Sequence, residues 1–199
     1  MIIRDIEQGS EEWHELRCGV ITASRFKDVM AEGQGKTRLS YMRELAAEIL
    51  TGERAESFSN QYMEWGTQTE PQAKSMYELK NNTDVDEVAF ITSEYYELAG
   101  VGVSPDGLVS DDGLIEIKCP KTATQIETFL SGKVPTYHKA QIQGQLLVSG
   151  RDWCDFVSFD PRINGDASWF CIRVERDEKY IRELAEGLQQ FKVDLDNMV

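Results

Sequence analysis

Ser104-Pro105-Asp106-Gly107-Leu108-Val109-Ser110-Asp111-Asp112-Gly113-Leu114-Ile115-Glu116-Ile117-Lys118 is the most informative stretch of the chain. Positions 114–118 alternate with a period of two, so Glu116 and Lys118 share one strand face while Ile115 and Ile117 point to the other. Charged residues on such a face fit either a solvated edge strand or a chemical site. A three-residue loop Asp111-Asp112-Gly113, with Gly113 in the left-handed conformation, pairs Ser110 with Leu114, Leu108 with Glu116 and Asp106 with Lys118. On that register Asp106, Glu116 and Lys118 all lie on one face. A two-residue Asp112-Gly113 turn shifts the pairing by one and turns Asp106 away. The sequence permits both turns; only the first makes a site.

Two ionised carboxylates a few ångströms apart repel unless a cation joins them. Oxygen ligands select a hard divalent ion. The two histidines are too few for a histidine-rich metal site, and none of the four cysteines forms a C-x-x-C pair. A lysine beside such a metal orients or deprotonates a water. This is chemistry suited to phosphodiester hydrolysis.

Working outward, Ser10 with Glu11 and Glu12 reads as the cap of a helix to about residue 17. Thr22 or Ser24 caps a second to about 30, and 32–38 is a glycine-containing loop carrying Lys36 and Arg38. Ser40 caps a third helix, stopped near Gly52, and a fourth runs over about 62–79 with a kink expected at Pro71. Strands are predicted over 88–92, 97–101, 107–110, 114–118, 153–159 and 168–174. Helices are predicted over 124–130 and 137–148, and a last helix carries Ile181, Leu184, Leu188, Phe191 and Leu195 on one stripe. The fold class is α/β, a mixed α+β sheet flanked by helices.

At 199 residues the chain suits a single domain, 1–199. No apolar run approaches the roughly 18 residues of a membrane span, and the acidic start shows no signal-peptide pattern. A cytoplasmic protein, without a membrane partner, is expected. The 21 Lys and Arg against 35 Asp and Glu give a formal charge of −14, which excludes a basic nucleic-acid coat protein. It leaves room for a nuclease with a basic strip inside a cleft, because fields act over a Debye length of about 8 Å.

Pro105-Asp106 followed by Glu116-x-Lys118 resembles the signature of the PD-(D/E)XK nucleases, whose core is restriction-endonuclease-like. Four further stretches sharpen the likeness: Trp13-His14-x-Leu16-Arg17-x-Gly19-Val20-Ile21-Thr22-Ala23-Ser24, Trp65-Gly66-x-Gln68-x-Glu70-x-x-Ala73, Ala140-Gln141-x-Gln143 and Asp160-Pro161-Arg162. Together they resemble the phage lambda exonuclease family over most of the chain.

That resemblance implies a site of two Mg2+ ions, with Mn2+ able to substitute, held by Asp106, Glu116, the carbonyl of Ile117 and Glu70. Lys118 positions or activates the attacking water, and Gln141 supports the scissile phosphate or the nucleophile. Arg17, Ser24 and Ser104 form a pocket for a 5′-terminal phosphate. The residues have physics of their own here: a guanidinium forks onto phosphate oxygens, and exposed N–H groups at a helix start attract anions. Trp13, Lys36 and Arg38 are candidate duplex contacts. The implied activity is processive 5′-to-3′ digestion of one strand of double-stranded DNA to mononucleotides, by a homotrimer ring in the bacterial host. The 3′ overhang goes to a single-strand annealing protein for phage recombination. The competing readings are a structure- or sequence-specific endonuclease on the same core, which needs no end pocket, and a DNA-binding module with a dead core.

Overall fold

The computed structural model describes residues 1–31, 36–55, 61–93 and 96–199. The strand Gly113–Lys118, which carries Glu116 and Lys118, is the middle of the five-stranded sheet. In chain order the elements are β1 (Ile2–Ile3), α1 (Glu11–Leu16), β2 (Ile21–Thr22), α2 (Phe26–Val29), α3 (Lys36–Thr51) and α4 (Gln61–Asn81). Five strands follow: β3 (Val85–Asp86), β4 (Phe90–Thr92), β5 (Val101–Val103), β6 (Gly107–Val109) and β7 (Gly113–Lys118). The chain closes with α5 (Thr122–Ser131), α6 (Lys139–Ser149), β8 (Trp153–Phe159), β9 (Trp169–Glu175) and α7 (Glu178–Asp196). The small sheet has the order β1-β4-β5-β2 and the large one β3-β6-β7-β8-β9. β7 runs antiparallel to β6 and parallel to β8, so the return from β7 to β8 needs the crossover that α5 and α6 supply.

The two faces of β7 meet different helices. Leu114 joins the main core with Ile142 and Leu146 of α6 and the α7 stripe Ile181, Leu184, Leu188, Phe191 and Leu195, all buried as the period predicted. Ile115 and Ile117 join a second cluster with Ala73 and Tyr77 of α4. Burying such side chains contributes about 1.5–3 kcal/mol each, which makes β7 one of the best-anchored strands. Ser10 caps α1 as expected, accepting from the Trp13 N–H at 3.2 Å.

Several expectations need correction. α3 begins at Lys36, so Ser40 lies inside it and Lys36 and Arg38 are helical. Of the 32–38 loop, residues 32–35 lie outside the described residues. Arg38 donates to Asp194 at 2.7 Å and its guanidinium lies 5.0 Å from the Phe191 ring centre. α4 runs unbroken through Pro71. No strand forms over 97–101: Tyr96–Leu98 is a 3-10 turn, and Gly100 at φ 82° delays the strand to Val101. The helix expected at 22–30 is a 3-10 turn (Ala23–Arg25) running into the single turn of α2, and it offers no long N-terminus around Ser24.

Candidate active site

The β6–β7 hairpin pairs Gly107 with Ile115, Leu108 with Leu114 and Val109 with Gly113. The loop is therefore Ser110-Asp111-Asp112, two residues out of step with the expected register, and Ser110 rather than Gly113 takes the positive φ, 52°. A shift of two preserves the face of every side chain. Asp106, Glu116 and Lys118 consequently converge, and the two-residue turn is excluded.

Gly113 serves another purpose: a Cβ there would stand 2.1 Å from the Trp153 ring. The glycine lets β7 pass close to β8.

Asp106 lies just before β6. Its Oδ2 accepts the Ile117 N–H at 2.5 Å, which ties its carboxylate to the β7 backbone. Glu116 is 1% exposed. Its Oε1 accepts Gln141 Nε2 at 2.6 Å and pairs with Lys118 Nζ; its Oε2 accepts Gln145 Nε2 at 2.6 Å. Gln141 and Gln145 are one turn apart on α6 and share a face. Gln145 escaped sequence reasoning, although its i, i+4 spacing from Gln141 was the available signal. Gln143 looks elsewhere, donating to the Glu175 carbonyl and accepting from the Asp177 N–H.

The electrostatics are those of crowded acids. Burial, reinforced by Glu116 and Glu70, pushes the Asp106 carboxyl well above the usual aspartate range. Burial raises Glu70 as well, with Lys118 opposing and Glu116 adding to the shift. Burial disfavours the Lys118 ammonium, yet Glu116 and Asp106 outweigh it and push its pKa up. Among the described residues, no three His, Cys, Asp or Glu side chains form a group that could hold a metal ion. The donor chemistry nevertheless fits a hard cation: Asp106 and Glu116 are oxygen donors whose repulsion a cation would relieve.

A cleft of about 710 Å³ carries Glu70 and Asp106 in its lining together with Trp13, Arg17, Ser24 and Arg54. Arg17 Nη1 donates to Ser104 Oγ at 2.9 Å, and its guanidinium lies 4.0 Å from the Trp13 ring centre. Trp13 Nε1 donates to the Ala89 carbonyl at 2.9 Å and to Ser104 Oγ at 3.2 Å. Burial, helped by Arg54 and opposed by Tyr41, lowers the Arg17 pKa to about 10, which leaves it charged at neutral pH. Ser24 is exposed on the same cleft, 3.4 Å from Thr22 Oγ1. Lys36 is exposed at the start of α3. Gln8, missed by sequence reasoning, ties the N-terminal segment to this region through the Val88 and Pro105 carbonyls, at 2.7 and 2.9 Å.

Residues 12–152 match the YqaJ-like viral recombinase domain. The chain belongs to that family. This YqaJ-like chain is 43% identical to the alkaline exonuclease (LHK-Exo) of Laribacter hongkongensis, with a TM-score of 0.89 over 95% of this chain and 94% of that one. The same exonuclease in complex with dAMP gives a TM-score of 0.90. A phage related exonuclease from Haemophilus somnus 129PT shares the fold at 18% identity, with a TM-score of 0.63 over 90% of this chain and 96% of that one. An uncharacterized protein, R354, of Acanthamoeba polyphaga mimivirus is 27% identical over 181 residues. The match covers 84% of the YqaJ-like chain but 31% of R354, so the chain spans about a third of that relative. No helix among the described residues is long and apolar enough to cross a membrane.

Proposed function

We propose that this YqaJ-like protein is a Mg2+-dependent exodeoxyribonuclease that digests one strand of duplex DNA from a phosphorylated 5′ end. That it is a deoxyribonuclease follows from its family and from 43% identity to an alkaline exonuclease across nearly the whole of both chains. The observation that carries the finer reading is one cleft whose lining holds both Arg17, which donates to Ser104 Oγ, and the acids Glu70 and Asp106. The relative's complex with dAMP supports a deoxynucleoside monophosphate as the product.

Asp106, Glu116, the Ile117 carbonyl and Glu70 would hold the two metal ions. When bound, Mg2+ supplies charge to the phosphoryl oxygens and lowers the pKa of water. The protein's own groups do the rest. Arg17 with Ser104 and Ser24 grips the terminal phosphate and sets the first phosphodiester against the carboxylates. Lys118, kept as an ammonium by its acidic neighbours, holds the attacking water by donation rather than acting as the base. Gln141 keeps Glu116 turned towards Lys118. Trp13 backs the Arg17 guanidinium, and of the two candidate duplex contacts on α3 exposed Lys36 is the freer, since Arg38 would have to leave Asp194. Mn2+ should substitute for Mg2+. A homotrimer ring would make the digestion processive and hand the 3′ overhang to a single-strand annealing protein, and we place the single nuclease domain, 1–199, in the host cytoplasm.

The test is cleavage of end-labelled linear duplex in Mg2+, with and without a 5′ phosphate, beside a closed circle. Mononucleotides from the phosphorylated linear duplex and an intact circle are expected. A cut circle would replace this reading with the endonuclease.

A further inference from the structure

Among the described residues three glutamines are deeply buried, and one of them is used differently. Gln125 donates to the Ser158 and Ala167 carbonyls at 3.1 and 3.0 Å, and its oxygen accepts from Ser158 Oγ at 2.5 Å. Gln143 likewise uses both ends, 2.9 Å to the Glu175 carbonyl and 2.8 Å from the Asp177 N–H. These two cross-link the fold. Gln145 is 0% exposed and donates to Glu116 Oε2 at 2.6 Å, but its own Oε1 has no hydrogen-bond partner. The amide cannot be reversed, because that would set its acceptor oxygen against a carboxylate oxygen of Glu116. Buried acceptors are rarely left unpaired. Gln145 is therefore placed for Glu116 rather than for its own satisfaction.

The donors around Glu116 are also unequally divided. Gln141 and Lys118 both bind Oε1; Oε2 has Gln145. The terminal torsion of a glutamate is broad and nearly two-fold, so the side chain does not fix its own carboxylate plane. Two donors on one oxygen leave that plane free to swing about it. A donor on the other oxygen stops the swing.

We infer that Gln145 is a positioning residue, one that fixes the plane of the Glu116 carboxylate and keeps Oε1 on the Lys118 side of the site. The inference rests on the nuclease reading for what that plane is needed for. Partners that orient a metal-holding carboxylate typically contribute about 10–100-fold in metal affinity or activity. Gln145→Met keeps the volume and removes the donor. Gln143→Met, on the same helix and equally buried, is the comparison.

Three readouts on the full chain are compared: kcat and KM on 5′-phosphorylated duplex, Mg2+ binding by calorimetry without DNA, and thermal stability. Gln145→Met should lose about 10–100-fold in kcat and weaken Mg2+ binding by a similar factor, with KM for DNA unchanged. Gln143→Met should unfold at a lower temperature while kcat and Mg2+ affinity stay at wild-type values. Wild-type kcat and Mg2+ affinity in Gln145→Met, or equal losses in Gln143→Met, would overturn the inference. Should Gln145→Met not fold, the wild-type protein decides by NMR. Mg2+ alone should move the side-chain amide signal of Gln145 and leave that of Gln143 in place; no movement, or equal movement of both, overturns it. An inactive wild type would instead sink the nuclease reading, with the Mg2+ titration still reporting on Gln145.

Discussion

Neighbouring strands carry buried acids under opposite regimes. On β8, Asp155 accepts the Tyr77 hydroxyl at 2.6 Å and two bonds from Arg173, each 2.9 Å. Asp160, at the end of the same strand, is 0% exposed, and its Oδ1 accepts Arg162 Nε at 2.7 Å. Its Oδ2 accepts Thr122 Oγ1 at 2.6 Å. Burial works against its charge, yet these bonds hold its carboxyl below the usual range. Each of the two has its own guanidinium. On the hairpin side, Asp106, Glu116 and Glu70 share the ammonium of Lys118, and Asp106 and Glu70 are pushed up. Acids that each have a cation hold the structure together. Acids that share one leave negative charge unbalanced, and that is what a ligand cation would neutralise.

The sharpest way to break this contrast is to delete acids from both sides. Asp106→Ala or Glu116→Ala should abolish cleavage in Mg2+ while the protein still folds. Asp155→Ala should cut normally once folded, but should lose about 3 kcal/mol in urea unfolding. That is the low end for a broken buried pair, because Arg173 is half-exposed. Normal turnover by either site variant would end the assignment.

Next in size is the shared cation. Lys118→Met should slow cleavage by about 100–1000-fold and still bind Mg2+ in a calorimeter, because it is not a ligand. Loss of both together would mean that Lys118 is needed to assemble the site. Smaller again is the end pocket. Arg17→Ala should slow digestion of 5′-phosphorylated duplex by roughly 10–100-fold and affect a 5′-hydroxyl duplex much less. Equal losses on both substrates would make Arg17 a general DNA contact.

The smallest effect is a pH dependence of stability without metal. Asp106 titrates higher folded than unfolded, so the folded state binds the extra proton. Its contribution is full below the ordinary aspartate range and is lost as pH rises from there through the raised folded value. Melting in EDTA should therefore show a stability loss across that window that Asp106→Asn removes and Asp155→Asn does not. An unchanged profile in Asp106→Asn would place the strain elsewhere.

Much of this was legible because side-chain alternation survives errors of two. The hairpin register was off by two residues, yet Asp106, Glu116 and Lys118 stayed on one face. The error has a physical cause: Gly113 was read as a turn glycine, while the space it saves is for Trp153. The α7 stripe was readable from period alone. β1, β2 and β3 have two residues each, too short for any pattern to register. Ser40 looked like a cap because nothing in the sequence says that Arg38 is anchored 156 residues away by Asp194. Arg17 and Ser104 are joined in one pocket only through the family resemblance; their contact itself depends on β4, β5 and α1 coming together. The i, i+4 spacing puts Gln145 on the face of Gln141, but that this face is buried against Glu116 only the packing reveals.

Gly144 sits between Gln143 and Gln145, and a Cβ on it would stand 2.2 Å from the Phe26 ring. Phe26 follows directly on the turn that carries Ser24. The helix that clamps Glu116 thus leans, backbone to ring, on the segment that offers Ser24 to the cleft. A methyl group added at 144 would have to push the Phe26 ring, and with it the turn of Ser24, away from α6, so the spacing between these two walls is kept only while position 144 carries no side chain.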